Sequence, residues 1–178
     1  MQMNTYANSI NDERFNSVPS DRWLDANEIR LGQFLAVANV TTAFVLNRWE
    51  LIALQFCIFV LMVIAPGMLD IYKWLYHGIL KPIGLLKPDM RIDNIEAYRF
   101  ANMIGIVVSG TASYLLYSGY ETVGWSIVWV MISLGSLAVL GWCAGCFVYY
   151  MLQKMGIKGF FRHSQIGHIF PGVRAPRP

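Results

Sequence analysis

The chain has 178 residues, 56% of them apolar and only 14% charged, against roughly 45–50% and about 25% in ordinary globular proteins. Residues 31–47, 51–69, 100–120 and 122–153 form runs of 17, 19, 21 and 32 residues without a single Asp, Glu, Lys or Arg. A bilayer core about 30 Å thick takes about 20 residues of helix, so this is the pattern of an integral membrane protein, and it excludes a soluble enzyme, a secreted disulfide scaffold and a nucleic-acid module.

Taken in chain order, residues 1–30 read as a polar N-terminal tail, with 20–25 able to start a short helix and no apolar core of a cleavable signal peptide. The membrane domain covers 31–152. Its first span lies at about 29–46, followed by the tight turn Asn47-Arg48-Trp49-Glu50. The second occupies about 51–69, where Pro66-Gly67 ends or kinks the helix because proline lacks a donor and glycine is flexible. In 70–86 aromatic and lysine side chains alternate with aliphatic ones, the composition of an amphipathic helix lying in the headgroup plane. A polar loop, 89–98, leads into the third span at about 100–118. The fourth, about 122–146, continues as helix past the membrane face to about Leu152, and 153–178 form a basic tail. Trp49, Tyr72, Trp74, Tyr117, Tyr120, Trp125, Tyr149 and Tyr150 fall near these boundaries, as an aromatic belt should. The expected fold is therefore all-α, with four transmembrane helices in two hairpins and an interfacial helix between them.

Orientation follows from charge. Of the 14 Lys and Arg residues, only Arg48 lies in a short connection between spans; the rest occupy the two tails and the middle segment. The positive-inside rule then puts both termini and the middle segment in the cytoplasm. Each hairpin is introduced by an arginine shortly after an acid, Glu28 before Arg30 and Glu96 before Arg99, and an amide follows at the same offset, Gln33 and Asn102. Both hairpins start on the same side, so the repeat is a parallel one.

Small residues recur every four positions at Ala101, Gly105, Ser109 and Ser113, and again at Gly141 and Gly145. Such stripes let helix backbones approach closely, and they are read as helix packing rather than a substrate path. Asn39, inside the first span, is expected to hydrogen-bond a neighbouring helix. None of His77, His163 and His168 lies within a span, so a buried haem is not expected, and no acid or base lies inside a span to support proton-coupled transport. No cofactor and no metal are expected.

Gly141-Trp-Cys143-Ala-Gly-Cys146 is the one cluster that suggests chemistry. Residues three apart share a helix face, so Cys143 and Cys146 can approach each other. A pair late in a continuous helix meets the negative end of the dipole, which disfavours thiolate. It also supplies only two of the four ligands of a zinc site. Packing and thiol chemistry are both open readings for the pair, whereas Cys57, alone in the second span, reads as packing.

The two arginine-introduced hairpins, the Tyr72…Lys81-Pro82 segment and the closing Gly141-Trp-Cys143-Ala-Gly-Cys146-Phe-Val-Tyr149 resemble a bacterial membrane-protein family of unknown function, numbered 4395, over about residues 26–152. The family's arginine is commonly followed by phenylalanine; Arg99-Phe100 fits and Arg30-Leu31 departs. The resemblance implies a four-span protein of the bacterial cytoplasmic membrane and a conserved-type thiol pair, but no activity. Two functions are carried forward. The first is a non-catalytic accessory or structural subunit of a larger membrane complex, contacting lipid and other subunits through its helices and tails. The alternative is thiol-redox or sulfur handling at Cys143 and Cys146.

Overall fold

A computed structural model describes residues 23–65, 71–80, 89–156 and 170–174. Over these residues the protein is mostly helical. Strand β1 (Trp23–Asp25) leads into α1 (Ala26–Val45), a tight turn into α2 (Trp49–Ile64), and α3 (Ile71–Leu75) continues as a π-helical turn, Tyr76–Leu80. Strand β2 (Met90–Ile92) leads into α4 (Ile95–Tyr117), then α5 (Glu121–Leu140) and α6 (Ala144–Lys154). Both α4 and α5 are long and apolar enough to cross a membrane, whereas α2 is apolar but shorter.

Four helices close into a ring in which α1 packs on α2 and α5, and α4 packs on α2 and α5. The two halves begin alike. Asp25 caps α1 by accepting from the Asn27 N–H at 3.0 Å, and Asn94 caps α4 by accepting from the Glu96 N–H at 3.0 Å. Each cap satisfies a donor that the helix itself cannot. Arg30 and Arg99 then sit five residues beyond their caps, and Gln33 and Asn102 eight residues beyond. The strands entering the two halves pair antiparallel, Trp23 opposite Ile92 and Asp25 opposite Met90. The third element of each half also docks on the helix that opens it, α3 on α1 and α6 on α4.

Several expectations are corrected. The first helix starts at Ala26, inside the stretch assigned to a tail, and residues 23–25 and 90–92 form a two-stranded sheet in a protein expected to be all helix. Three-residue strands are too short to show alternation; they form because two chain entrances lie side by side and satisfy each other's backbone groups. The fourth hydrophobic run is not one helix: it breaks at Gly141, whose φ of 113° is left-handed. The middle segment, expected over 70–86, is helical over 71–80, and 81–86 lie outside the described residues. It is anchored inward rather than spread flat. Tyr76 is fully buried, donating to Asp25 Oδ2 at 2.8 Å, and the buried Tyr72 hydroxyl donates to Gln55 Oε1 at 3.2 Å. Tyr72, Tyr149 and Tyr150 thus belong to the interior, while Trp74, Tyr117 and Tyr120 face outward.

Two apolar cores fill the ring at different levels. Near the interhelical turns, Val40, Ala43, Ile52, Ala112, Leu116 and Val128 pack together. Ala97, Cys143, Cys146, Tyr149 and Tyr150 form the second at the opposite end.

Candidate functional site

The break after α5 creates the site. Gly141 takes the left-handed conformation that ends a helix, its N–H reaching back to Leu137 O and Ala138 O; this is the backbone position glycine occupies at least cost. Among the described residues no atom lies within 4 Å of where its side chain would be, so none of them packs against Gly141 as the reading of the stripe expected. The chain then turns into extended Cys143, which is the N-cap of α6. Its Sγ accepts from the Cys146 N–H at 3.2 Å. The two Cα atoms are 5.2 Å apart, and the sulfurs lie at disulfide-bonding distance.

This reverses the electrostatics inferred from the sequence. In a continuous helix the pair would face the negative end of the dipole. As the first residues of α6 it faces the positive end, where unsatisfied N–H groups favour negative charge on sulfur. Hydropathy runs unbroken through the stretch, so the only sequence signal for the break was Gly141 itself.

The pair is wedged against the first turns of α4. A Cβ placed on Gly145 would fall 2.5 Å from Ala101 Cβ and 2.7 Å from Ala101 Cα, so these two small residues are the point of closest approach between α6 and α4. Beside them the Tyr149 hydroxyl donates to Glu96 Oε2 at 2.9 Å. Burial pushes the Tyr149 phenol up to about 12, helped by the Glu96 bond and opposed by Asn94. Gly105 faces the Phe59 ring of α2, whose atoms stand 3.0 Å from a built Cβ, and buried Ser109 donates to Gly105 O within its own helix at 2.6 Å. Ser113 is half-buried, and Arg30 and Arg99 are both exposed.

A segment of the basic tail, expected to contact other subunits, lies instead over the cysteines of this chain. The Cys143 N–H donates to Gly172 O at 2.8 Å, the Arg174 N–H to Gly141 O at 2.9 Å, and Trp142 bridges Val173 antiparallel. Gly172 has a φ of 83°, and a Cβ there would sit 2.7 Å from Cys143 O. The Arg174 side chain reaches between helices, its Nη2 donating to Gln33 Oε1 at 3.1 Å. Among the described residues its Nε and Nη1 are buried without a hydrogen-bond partner. Burial pushes this guanidinium below its ordinary value; Tyr98 acts the other way, and Arg30 and Arg91 reinforce the burial. His163 and His168 lie outside the described residues, and among those described no three His, Cys, Asp or Glu side chains converge on a metal position.

The expected Asn39 contact forms: its Nδ2 donates to Leu51 O and to Gln55 Oε1, both at 3.1 Å. Gln55, fully buried at the centre of this network, was missed, although it is the single amide of α2 and the one polar residue beyond its first turn apart from Cys57. His77, beyond that network, pairs with Glu28 at 3.0 Å. Cys57 is exposed on the outer face of α2 rather than packed in the core.

Between the two cores lies a cavity of about 530 Å³. Cys143 forms part of its wall, with Arg99, Asn102 and Gln33 at the same end. Val40, Val108 and Met131 line its far end, toward the interhelical turns.

Fold and site together define a small helical protein with a cysteine pair at a helix N-terminus, abutting a half-open cavity. A family described as a domain of unknown function, DUF4395, matches residues 24–154, well over half of the chain, and the protein belongs to it. Neither a curated protein nor a solved structure matches. The match stops at the end of α6, so the segment lying over Cys143 is outside it.

Proposed function

We propose that this protein is a membrane thiol–disulfide redox protein whose reactive group is the Cys143–Cys146 pair. The observation that carries this reading is the placement of Cys143 as N-cap of α6, with its sulfur accepting from the Cys146 N–H. A thiolate there receives a hydrogen bond and the favourable end of the helix dipole, and thiolate is the nucleophile in exchange. The reaction is balanced within the pair. A substrate thiolate attacks one sulfur of the disulfide and the other leaves as thiolate. A second substrate thiolate then attacks the mixed disulfide. The substrate departs as a disulfide, and two electrons and two protons have passed to Cys143 and Cys146.

The membrane arrangement that goes with this reading is four spans, α1, α2, α4 and α5, in two parallel-repeat hairpins. It is supported by the length of α4 and α5, by outward apolar side chains such as Val107 and Tyr114, 68% and 70% exposed, and by matching caps, arginines and amides in the two halves. Arg30, Arg91, Arg99 and Lys154 lie at the Cys143 end, and Arg48 at the other. Positive-inside bias then puts the pair and both termini on the cytoplasmic side of a bacterial inner membrane. Reduced thiols are abundant there, so the pair's natural role is to accept electrons from cytoplasmic thiols.

An accessory subunit of a larger complex is the second reading. Its support is the broad apolar outer face of α4 and α5, which lipid covers equally well. Polar tails that need a partner to hold them would favour it, but 170–174 dock on this chain's own helices.

The test is differential alkylation of the protein in native membranes, read by mass spectrometry. Cys143 and Cys146 should interconvert between dithiol and disulfide across a glutathione redox series, and Cys143→Ser should leave Cys146 unable to cycle. Two thiols that stay reduced under oxidant end the proposal.

A further inference from the structure

The cavity wall includes Cys143, one member of the redox-capable pair, and that juxtaposition calls for an occupant. We propose that it binds a lipid-soluble para-quinone, the oxidant that takes two electrons and two protons from reduced Cys143 and Cys146. This deepens the thiol-redox reading and rests on it.

Shape and polarity argue for such a ligand. Along α1 the wall runs from Glu28 to Val40, twelve residues or about 18 Å of helix. The polar groups gather at the Cys143 end, and the rest is aliphatic or aromatic. A volume of about 530 Å³ lies inside the usual range for ligand pockets. The matching ligand has a compact polar head and a hydrocarbon tail.

The amides at equivalent positions in the two hairpins supply the sharper argument. Gln33 and Asn102, each eight residues past its cap, both line this cavity, one from each hairpin. The Gln33 oxygen is engaged by Arg174 Nη2, which leaves its Nε2 to donate. Two donors from repeat-related positions suit a head with two opposed carbonyl oxygens, as a para-quinone has.

The step balances. The Cys143 and Cys146 thiols lose two electrons and two protons, and an S–S bond forms between them. The quinone gains the same electrons and protons, each carbonyl becoming a hydroxyl. Together with exchange at the cytoplasmic face, electrons then pass from thiols in the cytoplasm to the membrane quinone pool.

The experiment uses the full chain in lipid nanodiscs, reduced, freed of reductant and mixed with a decyl-substituted benzoquinone, whose loss is followed by ultraviolet absorbance. One quinone should be consumed per cysteine pair, with the disulfide recovered by alkylation mass spectrometry. Ala36→Phe, which fills the cavity, and Asn102→Leu, which removes one amide, should each slow quinone reduction by about tenfold or more. Both should react with a small aromatic disulfide as the parent does, which also shows that they fold. If the quinone is not reduced while the pair still exchanges with that disulfide, the quinone proposal falls and the thiol reading stands. If neither reaction occurs, both fall. Unchanged quinone rates in two folded variants, or a phospholipid chain found in the cavity in place of quinone, also overturn the proposal.

Discussion

At Gly141 one residue decides where the chemistry is. A left-handed residue ends α5, and two residues later Cys143 can start a new helix. The space around Gly141 is open, so a side chain there meets conformational strain and no clash. Gly141→Ala should lower stability by about 1–2 kcal/mol. Gly141→Asn should cost less despite its bulk, because asparagine tolerates this backbone region. Thermal unfolding of the two variants checks the order; a penalty that grows with side-chain volume alone would restore Gly141 as a packing residue. Tyr149 offers a second test. Its phenol, ordinarily 10.0, is pushed up to about 12 by burial and Glu96. A raised native value means the contribution is complete below pH 10 and is lost as pH rises toward 12. Denaturation midpoints should therefore fall across that window, and less steeply in Tyr149→Phe.

Among the elements, α6 and the 170–174 segment hold the cysteines from two sides. The Gly145–Ala101 contact sets how closely α6 lies on α4. Gly145→Leu should push the helices apart and cost about 1–3 kcal/mol, measured as a lower unfolding temperature. On the other side, Gly172 is left-handed and lies against the Cys143 carbonyl. Gly172→Val should therefore undock the segment, and reduced Cys143 should alkylate faster, with the unfolding temperature much less affected than by Gly145→Leu. Equal alkylation rates in parent and variant would mean that the segment does not guard the pair.

Across the whole molecule, two hairpins with matched caps, arginines and amides join into a ring with its turns at one end and its cysteines at the other. In intact cells, cysteines introduced at Asn47 and Gly119 should react with a membrane-impermeant maleimide, and tags on either terminus should be inaccessible. Reversed labelling would invert the orientation and move Cys143 to the outer side. The matched openings of the two halves were legible because their markers are polar residues at fixed offsets in otherwise apolar sequence. The docking of α3 was harder to read: Tyr72 and Tyr76 look like interfacial aromatics until Gln55 and Asp25 are seen to accept from them.

Composition and charge alone determined the helical character, the positions of the hydrophobic runs and the like-sided ends of the two halves, and the sequence showed the cysteines three apart at 143 and 146. Those properties depend on summed transfer energies and local charge, which sequence carries directly. Only the tertiary structure decided that the fourth run breaks, that its cysteines open a helix, that a distant segment covers them and that a cavity reaches Cys143. The last two depend on residues that meet from far apart in the chain, as when Arg174 reaches Gln33, and hydropathy carries no record of such pairings or of the left-handed turn at Gly141.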